Sequence, residues 1–159
     1  MSAALTPQEI VERALAASTT DGCVVLANDT STTNLRWANN TLTTNGATQT
    51  VDVTVFSTVK GADGIQAASA SRNVTDVDTL LSLVAEAEAN ARGSAVADDA
   101  ADLITGDASA DWDEAAEDAP VAAFSDIAHW LGDIFGSARA ADQGRYGYAE
   151  HSVATTYLG

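Results

Sequence analysis

Cysteine, proline and positive charge are all scarce in this chain. One cysteine and two prolines occur among 159 residues. A lone Cys23 excludes an internal disulfide. Its neighbours Val24-Val25-Leu26-Ala27 suit a buried small hydrophobe rather than a nucleophile. Seven basic residues, with Lys60 the single lysine, face 23 acids and leave a net charge of −16. Such a surface repels phosphate backbones, because nucleic-acid affinity rests on basic residues displacing counterions. It also disfavours anionic lipid, so neither nucleic acid nor membrane is an expected partner. A cationic peptide or basic protein is the kind of ligand it would attract, although solubility alone explains the acidity more simply. No apolar run approaches the ~18 uncharged residues of a membrane span. The start, Met1-Ser-Ala-Ala-Leu-Thr-Pro7, has neither the charged nor the apolar region of a signal peptide. The sequons at Asn28, Asn39 and Asn73 would matter only in a secreted protein. Together these features give the expectation of a soluble, cytoplasmic protein.

What is present reads clearly as structure. Hydrophobic content of 46% is ordinary for a globular protein, and a chain of this length buries roughly 70% of its unfolded surface. Thr6 at the N-cap, Pro7 at N1 and Glu9 at N3 form a capping box, and Leu5 and Ile10 have the spacing of a hydrophobic staple. Ile10, Val11, Ala14 and Leu15 make an apolar stripe at helical period. Asp21-Gly22 ends this first helix, and Cys23 to Ala27 follows as a short buried strand. Asn34 to Ala38 and Thr41 to Thr44 are expected to be the arms of a hairpin about Asn39-Asn40, residues that tolerate positive φ. In Thr50 to Val59, Val51, Val53 and Val55 alternate with Asp52 and Thr54, the signature of a half-buried strand. Gly61-Ala-Asp-Gly64 is a turn, and Ile65 to Ser71 returns as a strand of small side chains.

Thr75 is the expected cap of a second helix with Val77, Leu80, Leu81, Val84 and Ala91 on its apolar face and Arg92-Gly93 at its end. Residues 94–119 hold nine acids and no base, a composition suited to a solvated, partly flexible connector. Pro120 opens a third helix with Phe124, Ile127, Ala128, Leu131 and Phe135 on one face, ending near Gly136. Glu150 to Leu158 then reads as a strand, and its abrupt stop at Gly159 gives the expectation of a longer parent. The expected fold class is α+β: a curved, mainly antiparallel sheet with helices packed on one face. The expected division is 1–93 for an amino-terminal domain, 94–119 for the acidic connector and 120–159 for a helix plus the start of a strand-rich portion.

Candidate chemistry is thin. His129 and His151 lie on different elements, and Glu150-His151 offers at most two of the three or four ligands that zinc requires. Serines and aspartates are plentiful, yet none sits in a Gly-x-Ser-x-Gly elbow. Gly61-Ala-Asp-Gly64 is too short for a phosphate loop and carries an acid where phosphate would be repelled. The acids Asp111, Asp113, Glu114, Glu117 and Asp118 lack the order of an EF-hand. Arg36 and Trp37 point to opposite faces of a regular strand, with one of them in a partner groove or, more plainly, Trp37 in the core and Arg36 solvated. The residues therefore designate no catalytic, cofactor-binding or metal-binding position.

The series of elements resembles the amino-terminal domain of the TldD/PmbA family. The resemblance rests on Leu5-Thr-Pro-Gln-Glu-Ile-Val-Glu-Arg-Ala-Leu15, the strand from Asp21-Gly-Cys, and Leu35-Arg-Trp-Ala-Asn-Asn40, which stands where that family often has an Arg-Asn-Gly-Glu-like hairpin. Val51-Asp-Val-Thr-Val55, the helix from Val77 to Arg92, and Tyr146 to Tyr157 complete it. The start is closer to the PmbA (TldE) branch. The resemblance implies a cytoplasmic zinc-peptidase system, named in places as a modulator of DNA gyrase. In that family a TldD-like subunit carries a His-Glu-x-x-x-His motif downstream, and a PmbA-like subunit pairs with it. No such motif occurs here, so no cofactor is expected in this segment. The implied role is a non-catalytic domain that contacts another subunit and helps enclose unfolded peptide, with a self-contained acidic interaction module as the alternative.

Overall fold

Strands that the sequence presents as short pieces form longer ladders. The computed structural model describes residues 5–159, so the reading of Met1 to Ala4 lies outside the described residues. In chain order the elements are α1 (Pro7–Ala17), β1 (Gly22–Ala38), β2 (Thr41–Gly61), β3 (Gly64–Asn73), α2 (Val77–Gly93), a 3-10 turn (Val121–Phe124), α3 (Ser125–Ala140) and β4 (Gly147–Leu158). The strands form an open antiparallel sheet in the order β3-β2-β1-β4, and with the three α-helices of the described residues this is an α+β fold. The expected strands 23–27 and 34–38 are one 17-residue strand, β1, and 41–44 and 50–59 are one 21-residue strand, β2. The interior of β1 is hard to read in the sequence because its buried face passes from Val25 and Ala27 to Asp29, Ser31 and Thr33 before reaching Leu35. Polar residues on an inward face hide the period-two signal.

Two compact units interleave along the chain. The first holds the described residues up to Asp29, Val51–Ala115 and Thr156–Gly159. Within it, α1 starts as its capping box dictates: Glu9 N–H donates to Thr6 Oγ1 at 3.2 Å and Thr6 N–H to Glu9 Oε2 at 3.0 Å. A cap of this type contributes about 1 kcal/mol. Ile10, Val11 and Ala14 are buried, whereas Leu15 is at the exposed margin of the stripe. β2 and β3 pair from Asp52↔Asn73 to Gly61↔Gly64, and α2 packs along β3 and against α1. Asp76, not Thr75, caps α2, accepting Thr79 N–H at 2.7 Å. That bond and the Thr79 hydroxyl hold its carboxyl below the usual aspartate range. The buried stripe runs Leu80, Leu83, Val84, Ala87, Glu88, Ala91. Leu83 replaces the expected Leu81, because Leu81 lies 100° round from Leu80 and faces solvent.

The second unit holds Thr30–Thr50 and Ala116–Thr155. Its core is Leu35, Phe124, Leu131 and Phe135, with Trp37, Ile134 and Ala149 packed against them. Phe124 belongs to the 3-10 turn, so counting helical steps from it misplaces Ile127, which is exposed. α3 runs past Gly136 to Ala140 and ends in a Schellman motif: Gln143 N–H donates to Ala138 O at 2.8 Å and Asp142 N–H to Arg139 O at 3.2 Å. Asp142, at φ 52°, occupies the left-handed position that glycine usually takes.

Candidate functional site

In the first unit the most elaborate constellation surrounds Glu88, which α2 turns inward at the end of α1. Its carboxylate accepts Thr19 N–H at 2.6 Å, Thr19 Oγ1–H at 2.8 Å, Ser18 Oγ–H at 3.2 Å and Arg92 Nη2–H at 3.2 Å. Burial works to raise its pKa, but the Thr19, Arg92 and Ser18 donors together outweigh it and hold the carboxyl below the usual glutamate range. Nearby Cys23 is half-buried rather than enclosed in the core. Burial is the main reason its thiol is raised, with the Glu88 charge adding to the effect against a Ser18 hydrogen bond. A raised thiol is a poor nucleophile at neutral pH. Nothing in the spacing of polar residues singles out Glu88. Only its place among Leu83, Val84, Ala87 and Ala91 on one helical face marks it as inward-facing.

The acidic stretch is anchored in this unit at Trp112. Its ring meets Tyr157 edge-on at 6.0 Å and 85°, and its Nε1–H donates to Glu12 at 3.2 Å. Gln8 of α1 donates to Trp112 O at 3.2 Å and Glu114 O at 2.8 Å, and Tyr157 Oη–H to Glu114 O at 2.8 Å. Burial, then the Asp29 and Glu114 charges, raise the Tyr157 hydroxyl above the ordinary tyrosine range.

In the second unit the Asn39-Asn40 turn adopts positive φ at both residues, 48° and 60°, as a type I′ turn requires. Asn40 is buried. Its Nδ2–H donates to Gln143 O at 2.7 Å, its Oδ1 accepts Arg145 N–H at 2.8 Å, and its carbonyl accepts from Arg139 Nη2. Asn39, Asn40, Arg139, Asp142, Gln143 and Gly144 line an open depression of about 330 Å³. The Arg139 guanidinium and the Asn40 amide there are already engaged with backbone. Arg36 and Trp37 take opposite faces as alternation requires. Arg36 is exposed and lies 4.9 Å above the Tyr148 ring, whose hydroxyl donates to Glu150. Trp37 packs on the core, with its ring so close to Gly147 that a Cβ there would stand 2.2 Å away.

His129 on α3 and His151 on β4 are both exposed. Glu150 and His151, adjacent in a strand, point to opposite faces. Among the described residues no three His, Cys, Asp or Glu side chains are grouped to hold a metal ion. No helix among the described residues is long and apolar enough to cross a membrane.

The family model described as PmbA/TldA metallopeptidase domain 1 matches residues 23–91, from β1 through most of α2. No curated protein matches the sequence. Among solved structures, TldE from Thermococcus kodakarensis aligns with 96% of this chain and 34% of its own, at TM-score 0.57 and 9% identity. A protein from Bacteroides thetaiotaomicron, named for a proposed role as a modulator of DNA gyrase, aligns with 96% of this chain and 35% of its own, at TM-score 0.54 and 14% identity. The chain thus spans about a third of the length of either structure. At such identities the likeness is one of fold, but it extends on both sides of the segment that the family model matches. Residues 23–91 thus carry a likeness to the first domain of PmbA/TldD proteins, and the fold built around them is shared with these two structures.

Proposed function

We propose that this chain is a non-catalytic first domain of a PmbA/TldD-type peptidase or of its partner subunit, working in the cytoplasm. Its role is to contact a TldD-like or homologous subunit and help enclose unfolded peptide, with zinc chemistry supplied by other parts of the assembly. The observation that supports this reading is a fold alignment over 96% of the chain that accounts for only 34% of the TldE structure. The match to domain 1 lies within the aligned region. The test combines the chain with a TldD-like subunit from the same organism. Co-elution of the two is expected, with neither stoichiometric zinc nor peptide cleavage in the chain alone. Zinc retained by the chain after dialysis, together with cleavage abolished by a chelator, would overturn the proposal.

The net charge of −16 supports a second reading, an acidic module that captures a basic partner. It requires binding of a cationic peptide that weakens steeply as salt shortens the Debye length from ~10 Å at 0.1 M to ~3 Å at 1 M. Binding indifferent to salt, or none, rejects it.

A further inference from the structure

We propose that the outer edge of β2 between Thr41 and Thr48 is a self-association edge, receiving the same strand of a second copy in antiparallel pairing. Among the described residues, β3 pairs with β2 only from Asp52 to Gly61, so Thr41–Thr48 has β1 on one side and no strand on the other. The two-residue turn makes Ala38 and Thr41 the closing pair of the hairpin. Leu42, Thr44 and Gly46 consequently direct their N–H and C=O groups outward. All of Thr41–Thr48 is exposed apart from the half-buried Gly46.

Unpaired edges are ordinarily defended by charge, proline or a covering segment. Other edges in this protein are defended. β3 is covered by the Gln66↔Val96 bridge and by Ala97 N–H donating to Ile65 O at 2.8 Å. β4 carries Glu150 and His151. Among the described residues the β2 edge has no covering strand, and Trp37 to Val51 contains no Asp, Glu, Lys, Arg or Pro. It is the longest charge-free run in a chain of net charge −16. The nearest charged side chain in the hairpin, Arg36, lies over Tyr148 of β4, on the far side of β1 from this edge.

Neutrality selects the occupant. Across a two-fold axis every residue near the centre meets its own equivalent, so any charge there would face its like. A different partner could be matched by opposite charge and would not demand neutrality. A second copy of so acidic a chain does demand it. Pairing centred on Thr44 sets Thr44 against its equivalent and Leu42 opposite Gly46 of the other copy, where the missing side chain leaves room for leucine. The outward N–H and C=O groups of Leu42, Thr44 and Gly46 are then used. This refines the assembly role proposed above by naming a surface for it.

The test is sedimentation equilibrium of the 159-residue chain, with amide exchange followed at Leu42, Thr44 and Gly46. Concentration-dependent dimers are expected, and these three amides should gain protection as dimers form. Thr44→Lys places like charges at the axis and should raise the dimer Kd about tenfold or more, with recovery in 1 M salt. Thr44→Pro removes an outward donor without touching the β1 ladder and should abolish dimers at any salt. Ser82→Lys, on the exposed face of α2, is the charge control and should leave dimers intact. Circular dichroism of each variant separates lost pairing from lost folding. A wild-type chain that stays monomeric, or a folded Thr44→Lys variant that dimerises like the control, overturns the edge. Co-elution of that monomeric chain with a TldD-like subunit would leave the assembly role standing while rejecting this surface.

Discussion

Replacing Glu88 separates a buried carboxylate that stabilises the first unit from one that merely survives there. Its residue is 7% exposed, and it receives two bonds from Thr19 at 2.6 and 2.8 Å, one from Ser18 and one from Arg92. A hydrogen bond to a charged group contributes about 1.5–3 kcal/mol, and a buried donor left without a partner costs about 1–3 kcal/mol. Arg92 is half exposed, so its ion pair is screened and adds only about 0.3–0.5 kcal/mol. The dominant contribution is therefore the Thr19 backbone and hydroxyl. On that basis Glu88→Ala should cost about 3 kcal/mol in urea unfolding at pH 7, while Arg92→Ala costs less than about 1 kcal/mol. Glu88→Gln keeps the shape but sets an amide N–H₂ against donors, for a loss of about 1–2 kcal/mol.

The sign of the pH dependence follows. The folded pKa is depressed, so Glu88's contribution is fully present above the unfolded glutamate value of ~4.3 and is lost as pH falls through the lower folded value. The stability gap between wild type and Glu88→Gln should be constant from pH 7 to about 5 and should close below ~4.3. A gap of zero at pH 7, or one unchanged at pH 3, would refute the reasoning.

Two further predictions concern the second unit. Asn40→Gly keeps the positive φ but loses the bonds to Gln143 O and Arg145 N, so it should destabilise by about 1–3 kcal/mol in denaturant titration. Asn39→Gly, at a position whose side chain is not buried, should fall within about 0.5 kcal/mol of wild type. Gly147→Ala drives a methyl to 2.2 Å from the Trp37 ring and should cost about 1–3 kcal/mol with a shift in tryptophan fluorescence. Gly136→Ala, in open space within α3, should stabilise by up to about 1 kcal/mol in denaturant titration.

The legible parts of this fold are those where local chemistry and tertiary packing agree. The Thr6–Glu9 box, the Asn39-Asn40 turn and the Val53–Val55 alternation each act within a few residues, and each occurs as the spacing dictates. Legibility fails where a polar residue serves as core. Ser31 and Thr33 face inward because Ser31 Oγ accepts Ala119 N–H at 3.0 Å and Thr33 donates to Ala119 O, a partnership 88 and 86 residues away in sequence. Glu88 is hidden for the same reason: its partners at 18 and 19 are adjacent only after folding. Likewise the acidic stretch reads as solvated by composition, but Trp112 fixes it to α1 through Gln8 and Glu12. The end of α3 misleads differently, since Asp142 adopts a conformation for which glycine is the usual signal. As for the candidate site, the two histidines do lie on separate elements, and no spacing in the sequence points to the Asn40 node.

What the inward-turned polar side chains do bears directly on function. Asn40 holds the backbone at 143–145, Glu88 holds Thr19, Ser31 and Thr33 hold Ala119, and the half-buried Gln8 of α1 holds 112–114. In each case the partner is irregular backbone, whose N–H and C=O groups lack the partners that a helix or sheet ladder would give them. A catalytic or binding site needs the opposite arrangement: polar groups convergent on a volume and still available to a ligand. Among the described residues the buried side-chain atoms without a partner are Asn34 Oδ1 and Ser57 Oγ, one in each unit. The bonds made by Asn40, Glu88, Ser31 and Gln8 tie irregular segments to helices and strands of their own unit. The charge-free edge of β2 is the surface feature that solubility alone does not explain.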